Sequence, residues 1–184
     1  MQTRDKILEL AEGYLLQQGY GGFSYADIAK ALNIKNAAIH YHFASKEELV
    51  LAIIKNAHSR FEHWKKHLEV QVHWVRVSRF IKIYDNSCDK SDSMCLVTAL
   101  CSDYALLPTK VQGALNNFAK AIHQWFSEIL ASGRAAGEFN FEGSASQRAS
   151  IIQTSLMGGL LINRVMGRSQ YEDIKNQLIN DIQS

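Results

Sequence analysis

Apolar residues recur along this chain at helical spacing. Ile7, Leu8, Ala11, Tyr14 and Leu15 form one face of a first helix from about Arg4 to Gln18. Thr3 is its expected N-cap, Asp5 suits the first turn, and Gly19, Gly21 and Gly22 end it. Ser24, with Asp27 three residues on, opens a second helix from Tyr25 to Leu32. A tight turn at Asn33 leads into a third, roughly Asn36 to His42. Ser45-Lys46-Glu47-Glu48 is an S-x-x-E capping box opening a fourth helix that continues to about Lys66. Trp74, Val77, Ile81 and Tyr84 share one face of a helix from about His73 to Ser87. A polar loop over Cys88 to Ser93 and a shorter helix from Met94 to Leu106 follow. Pro108 starts a long helix to about Ser132, with Val111, Leu115, Phe118, Ile122, Trp125 and Ile129 on its inner stripe and Gly133 and Gly137 at its end. Ser144-x-x-Gln147 and Ser169-x-x-Glu172 read as two more capping boxes, opening helices over about 145–167 and 170–182. The expected fold is all-α, with about nine helices.

Composition narrows the class. A chain that is 47% hydrophobic is globular rather than disordered, and its single proline suits long helices. No apolar run approaches the roughly 18 residues of a membrane span, and no apolar segment follows the N-terminus as in a secretory signal. Three cysteines, Cys88, Cys95 and Cys101, are odd in number and lack metal spacing, so reduced thiols in a cytoplasmic protein are expected. The net charge of +2 lies in the first third: residues 1–66 hold nine Lys/Arg against seven Asp/Glu, and residues 67–184 hold eleven of each.

The second and third helices meet the demands of a helix-turn-helix, in which the second member enters the major groove. Ala29 is small where the helices cross, Asn33 accepts positive φ in the turn, and Ile39 packs the third helix inward. Ile28, Leu32, Ile34 and Phe43 complete a small core. Between Asp27 and Glu47 there is no carboxylate, as a helix approaching one phosphate charge per roughly 1.7 Å requires. Lys35, Asn36, Ala37, Ala38, His40, Tyr41 and His42 occupy the start and outer face of the third helix. Asn36 suits adenine, and the alanines let the backbone approach and touch a thymine methyl. Ser24, Tyr25, Tyr41 and Lys46 carry hydroxyl or ammonium groups suited to phosphates.

The run Ala11…Gly19-Tyr20…Ser24-Tyr25-Ala26-Asp27-Ile28-Ala29…Ile34…Ile39-His40-Tyr41-His42-Phe43-Ala44-Ser45-Lys46-Glu47-Glu48-Leu49 resembles the TetR family of bacterial regulators over about residues 4–55. The resemblance implies a homodimer bound to palindromic operator DNA, with residues 1–46 as the DNA-binding domain and 47–184 as a ligand-binding and dimerising body. The fourth helix would join the two. It implies a repressor that an unidentified small-molecule inducer releases from its operator. The family's DNA contacts fall on Ser24, Tyr25, Asn36, Ala37, His40, Tyr41 and His42, with Lys46 at the phosphate-binding lysine. Two positions depart from the pattern: His40 stands where tyrosine is most common, and Lys35 replaces the usual Ser/Thr cap.

Asp92-Ser93-Met94-Cys95-Leu96-Val97…Leu107-Pro108…Val111 resembles the N-ethylmaleimide-responsive branch of that family, whose members can carry a sensing cysteine at the position of Cys95. Cys95 in a first helical turn capped by Ser93 or Asp92, with Lys90 near, would have a lowered thiol pKa; as a buried hydrophobe it would be inert. Cys101 is expected in the core, and Cys88 in the loop within reach of Cys95. Trp74, Tyr84, Tyr104, Phe118, Ile122 and Trp125 face inward and either line an apolar ligand pocket or form the core. Leu156, Gly158, Gly159, Leu160, Ile174 and Leu178 are the expected dimer contacts, the glycines allowing close approach. The rival classes are a small helical enzyme using Cys95 with His123 and a metal-responsive regulator using His63 and His67. Against them, no catalytic glycine motif is present, His63-Trp64-Lys65-Lys66-His67 lacks the H-E-x-x-H glutamate, and its lysines oppose a cation. No cofactor or metal is expected.

Overall fold

A computed structural model describes residues 2–88 and 94–183. Among these are nine α-helices: α1 (Thr3–Gln18), α2 (Tyr25–Leu32), α3 (Asn36–His42), α4 (Lys46–Lys66), α5 (His73–Cys88), α6 (Leu96–Ser102), α7 (Thr109–Ala135), α8 (Ala145–Met166) and α9 (Arg168–Gln183). A 3₁₀ turn over Tyr104–Leu106 lies between α6 and α7. The all-α expectation holds, and no helix of the described residues is long and apolar enough to cross a membrane.

The chain packs as two compact units, one of residues 1–64 with 96–118, the other of 65–95 with 119–184. α4 as far as Trp64, together with α6 and the start of α7, packs with the first three helices.

In the first unit, Ile7, Leu8, Ala11 and Leu15 of α1 meet Ile28 and Ala29 of α2, Ile39 of α3 and Leu49, Val50 and Ile53 of α4 in a closed core. α6 lies along α1. Phe118 of α7 packs on Phe61 and His58 of α4, with ring centroids 6.1 and 5.5 Å away.

In the second unit, Phe80 of α5 stacks on Phe126 of α7 at 4.2 Å, with Tyr84 at 5.4 Å and Trp125 at 5.9 Å. α8 and α9 form an antiparallel pair closed by Leu156, Leu160, Tyr171, Leu178 and Ile182. Tyr171 donates to Asp85 of α5 at 3.0 Å, and Lys175 approaches the same carboxylate at 3.4 Å.

Several helix ends differ from the sequence expectation, each for a local reason. Helix α1 starts at Thr3 with Gln2 before it, so Thr3 is not the cap. Gly133 does not end α7 but sits inside it, where the Phe139 ring fills the space that a Cβ would need. Ser144 and Gln147 do form a reciprocal capping box on α8. Ser169 caps nothing: Gly167, at φ +82°, turns the chain so tightly that α9 begins at Arg168. Glu172 is then drawn to Arg168 at 3.1 Å and Lys175 at 2.5 Å. The segment expected as one helix from Met94 to Leu106 is α6 and the 3₁₀ turn, broken at Asp103. Cys88 is the buried last residue of α5 rather than a loop thiol, and Cys101, expected in the core, is exposed. Lys90, Asp92 and Ser93, invoked as neighbours or caps of Cys95, lie outside the described residues.

Candidate nucleic-acid interface

The angle between α2 and α3 is fixed by short-range chemistry. Ser24 caps α2 with the full reciprocal box: Asp27 Oδ2 accepts the Ser24 N–H at 2.7 Å and its hydroxyl at 2.6 Å, while the Asp27 N–H reaches back to Ser24 Oγ. These hydrogen bonds, led by that from the Ser24 hydroxyl, hold the Asp27 carboxyl below its ordinary pKa. At the other end of α2, Asn33 is the one described non-glycine residue with positive φ, at 52°. Its left-handed conformation lets the Ile34 N–H reach the Ala29 carbonyl at 3.0 Å, which closes α2 and redirects the chain into α3. Ala29 and Ile39 are both buried at the crossing. Every element the spacing demanded is thus in place.

Helix α3 buries Ile39 and turns the rest outward. Asn36, Ala37, His40 and Tyr41 are exposed, Tyr41 to 85%, while Ala38 and His42 are half-covered. Lys35 precedes the helix with no side-chain cap, as its replacement of Ser/Thr implies. The exposed N-terminus of α3 therefore keeps free backbone N–H groups beside a lysine and Asn36, a setting suited to an anion.

Three of the expected phosphate contacts are tied up within the protein. The Tyr25 hydroxyl donates to the Phe43 carbonyl at 3.0 Å. Burial first, then the Glu48 charge and Tyr20, push its pKa up to about 12, so it stays a neutral phenol with only its lone pairs left to offer. The Ser24 hydroxyl is committed to Asp27. The Lys46 ammonium donates to the Phe23 carbonyl and lies over the Phe23 and Tyr20 rings at 4.0 and 4.9 Å. Burial lowers the Lys46 pKa, and the charges of Asp103 and Asp27 oppose that shift.

His40 is placed differently. Its Nδ1 lies 3.3 Å from the Ala44 carbonyl, and its ring meets Tyr25 edge-on at 4.9 Å. With Nδ1–H donating to Ala44, Nε2 is a lone-pair acceptor in the neutral ring and a donor only when the ring is protonated. The turn after α3 is shaped by Glu48, which accepts the Ala44 N–H at 3.0 Å, while Ser45 Oγ accepts the Glu48 N–H at 3.2 Å. The capping box is therefore shifted by one residue from its reciprocal form. Arg4, passed over in the sequence, lies over the Phe43 ring at 5.0 Å, bringing a cation to this turn. The signal for it was a cation in the first turn of α1, where the helix dipole gives no reason for one.

The candidate sensing and pocket residues are divided between the two units. Tyr104 is 48% exposed rather than inward-facing. Phe118 belongs to the first unit, and Trp74 packs edge-on to Phe139 at 6.2 Å in the second. Tyr84 and Trp125 flank Phe80, and Ile122 is half-buried. Cys95 directly precedes α6 instead of lying in its first turn, and is half-buried. Burial, and secondarily the Cys95 charge, raise the Tyr84 pKa well above the ordinary value. His67 falls just beyond the end of α4, four residues after His63. His123 is engaged at both nitrogens, by Gln153 Oε1 at 2.8 Å and Ser146 Oγ at 3.0 Å.

Leu156, Gly159, Leu160 and Leu178 are buried inside the protomer, and a Cβ on Gly159 would lie 3.0 Å from the Tyr171 ring. Ile174 is half-covered beside the same glycine. Gly158 alone of the two glycines opens outward, with nothing within 4 Å of its Cβ position. It lies on a face of α8 that also exposes Ile151, Leu161, Ile162 and Val165.

Residues 7–53 match the family profile described as bacterial regulatory proteins, tetR family. The chain is 24% identical over 180 residues to the probable HTH-type transcriptional regulator ArpR of Pseudomonas putida, covering 87% of this chain and 79% of ArpR. It is 22% identical over 181 residues to the HTH-type transcriptional repressor NemR of Escherichia coli K12, covering 96% and 90%. A solved TetR-family transcriptional regulator from Agrobacterium tumefaciens superimposes with a TM-score of 0.91 at 26% identity, over 98% of this chain and 97% of that one.

Proposed function

We propose that this chain, a member of the TetR family of DNA-binding transcriptional regulators, acts as a homodimeric repressor whose α3 reads a half-site of a palindromic operator. The observation that carries this reading is the outer face of α3. It holds Asn36, Ala37, His40 and Tyr41 exposed, and no carboxylate occurs from Ile28 to Lys46. Asn36 and the alanines read base edges; Tyr41, His40, His42, Lys35 and Arg4 engage phosphates. Tyr25 and Ser24 hold the head in shape, and Lys46 does so through Phe23 while keeping its charge and its further ammonium protons for a phosphate.

The partner for the apolar outer face of α8 is a second copy of this chain. Ile151, Leu161, Ile162 and Val165 are aligned about Gly158, which admits a helix at short range. Residues 1–46 supply the reading surface and 47–184 the dimer contacts and the regulatory input. That input is a small molecule or a modification of Cys95, which stands half-buried immediately before α6.

Selection of bound duplexes from a random-sequence pool tests the reading. A palindromic consensus with salt-sensitive affinity is expected, and N-ethylmaleimide is expected to release the wild type but not Cys95→Ser. Failure to enrich any sequence overturns the operator reading. Equal release of both proteins removes Cys95 as the input and leaves the small molecule.

A further inference from the structure

The loop joining α1 to α2 is held from outside the helix-turn-helix. Asp103, between α6 and the 3₁₀ turn, accepts the Gly21 N–H through Oδ2 at 2.9 Å, across a separation of 82 residues. The same oxygen lies 2.6 Å from where a Cβ on Gly19 would stand, and Gly19 has φ +78°. Glycine is therefore required there twice, by backbone conformation and by the carboxylate pressed against it. Leu106 closes the other side of the clasp, 3.7 Å from the Cβ position of Gly21.

The loop then runs through Phe23, whose ring is buried and whose carbonyl receives the Lys46 ammonium. Asp103 is also the leading charge that favours the protonated Lys46. The next residue is Ser24, the N-cap of α2. A loop with glycine at positions 19, 21 and 22 has no conformational stiffness of its own. Its shape must come from partners, and a carboxylate accepting a backbone N–H is among the stronger neutral-backbone bonds available.

We propose that Asp103 is a positioning residue for DNA recognition: by clasping the α1–α2 loop through Gly21, it sets where α2 begins and hence how α2 and α3 are presented. It acts without touching DNA and lies far outside the segment that matches the family profile. This rests on the reading of α2 and α3 as the DNA-binding head.

The test uses the full-length dimer with Asp103→Ala and Asp103→Asn, and has two arms. The first needs no DNA: hydrogen–deuterium exchange over residues 19–27, with the α8–α9 peptides as internal control. Asp103→Ala is expected to speed exchange in 19–27 alone, and Asp103→Asn, which keeps an acceptor oxygen for Gly21, to remain close to wild type. The second titrates the duplex selected by the wild type against a scrambled duplex of equal length. Asp103→Ala is expected to weaken specific binding about tenfold, the scale of one hydrogen bond to a charged group, while scrambled binding is unchanged. Asp103→Asn is expected to recover most of that loss. Unchanged exchange over 19–27 overturns the clasp. Specific affinity equal to wild type, or specific and scrambled binding lost in equal proportion as from a partly unfolded sample, overturns the positioning role. If selection yields no duplex, the operator reading falls by itself, and the exchange arm still decides whether Asp103 orders the loop.

Discussion

Helices α3 and α8 are built on opposite rules. α3 has one apolar residue that matters, Ile39, fully buried, and an outer face of small and polar groups. α8 is apolar on both sides: Leu156 and Leu160 close the protomer core, while Ile151, Leu161, Ile162 and Val165 face out. A one-sided helix states its own orientation, because only one placement keeps its polar groups wet and its apolar group dry. A two-sided helix does not, and its outer side costs free energy until something covers it. The outer face of α3 is finished in water and ready for a charged partner; the outer face of α8 is completed only by another apolar surface.

The sharpest way to break this contrast is to treat the two sides of α8 differently. Leu156→Ala, on the inner side, is expected to cost about 2–5 kcal/mol of stability, read from denaturant unfolding at fixed protein concentration. The double change Leu161→Arg with Val165→Arg, on the outer side, should leave the secondary structure intact but yield a monomer in sedimentation. Operator affinity should then fall on the order of 100-fold as the linked second half-site is lost. If the arginine pair leaves a dimer, the outer face is not the interface.

On α3 the expected effects are smaller and electrostatic. Nδ1 of His40 is turned to Ala44, which leaves Nε2 as the ring nitrogen that can meet a phosphate. His40→Ala should therefore weaken operator affinity severalfold in a duplex titration; unchanged affinity would remove His40 from the phosphate contacts. The smallest effect belongs to the cap. Ser24→Ala is expected to cost about 1 kcal/mol, read as a lower unfolding midpoint. The Asp27 carboxyl has its pKa held low in the folded state, so its contribution is present above the unfolded carboxylate pKa and lost as pH falls through the folded one. The gap in stability between wild type and Ser24→Ala should narrow in acid.

Much of the head was legible from residues near one another in the chain. Ala29, Asn33 and Ile39 act over four and six residues, and the Ser24/Asp27 box over three, so spacing alone carries their geometry. The body was legible as helices but not as contacts. Leu156 and Leu161 are equally apolar in sequence, and nothing local tells which meets α9 and which meets solvent. The same limit misplaced Gly133, where the deciding neighbour is Phe139, and Tyr104, which lies on the exposed 3₁₀ turn.

The sequence by itself determined the fold class, the helix-turn-helix and the carboxylate-free face that α3 shows, because these depend on backbone conformation and on hydrogen bonds within a few residues. The tertiary structure decided how the polar groups are spent. The Tyr25 hydroxyl donates to the Phe43 carbonyl, Lys46 turns to Phe23, and Gly21 is held by Asp103, each across 18 or more residues. A donor has few protons to offer, and which acceptor wins depends on what the fold brings within about 3 Å. Spacing along a chain cannot encode that competition. It could name the residues suited to phosphate, and even the Ser24 cap, but only packing could show that Tyr25 and Lys46 already had partners.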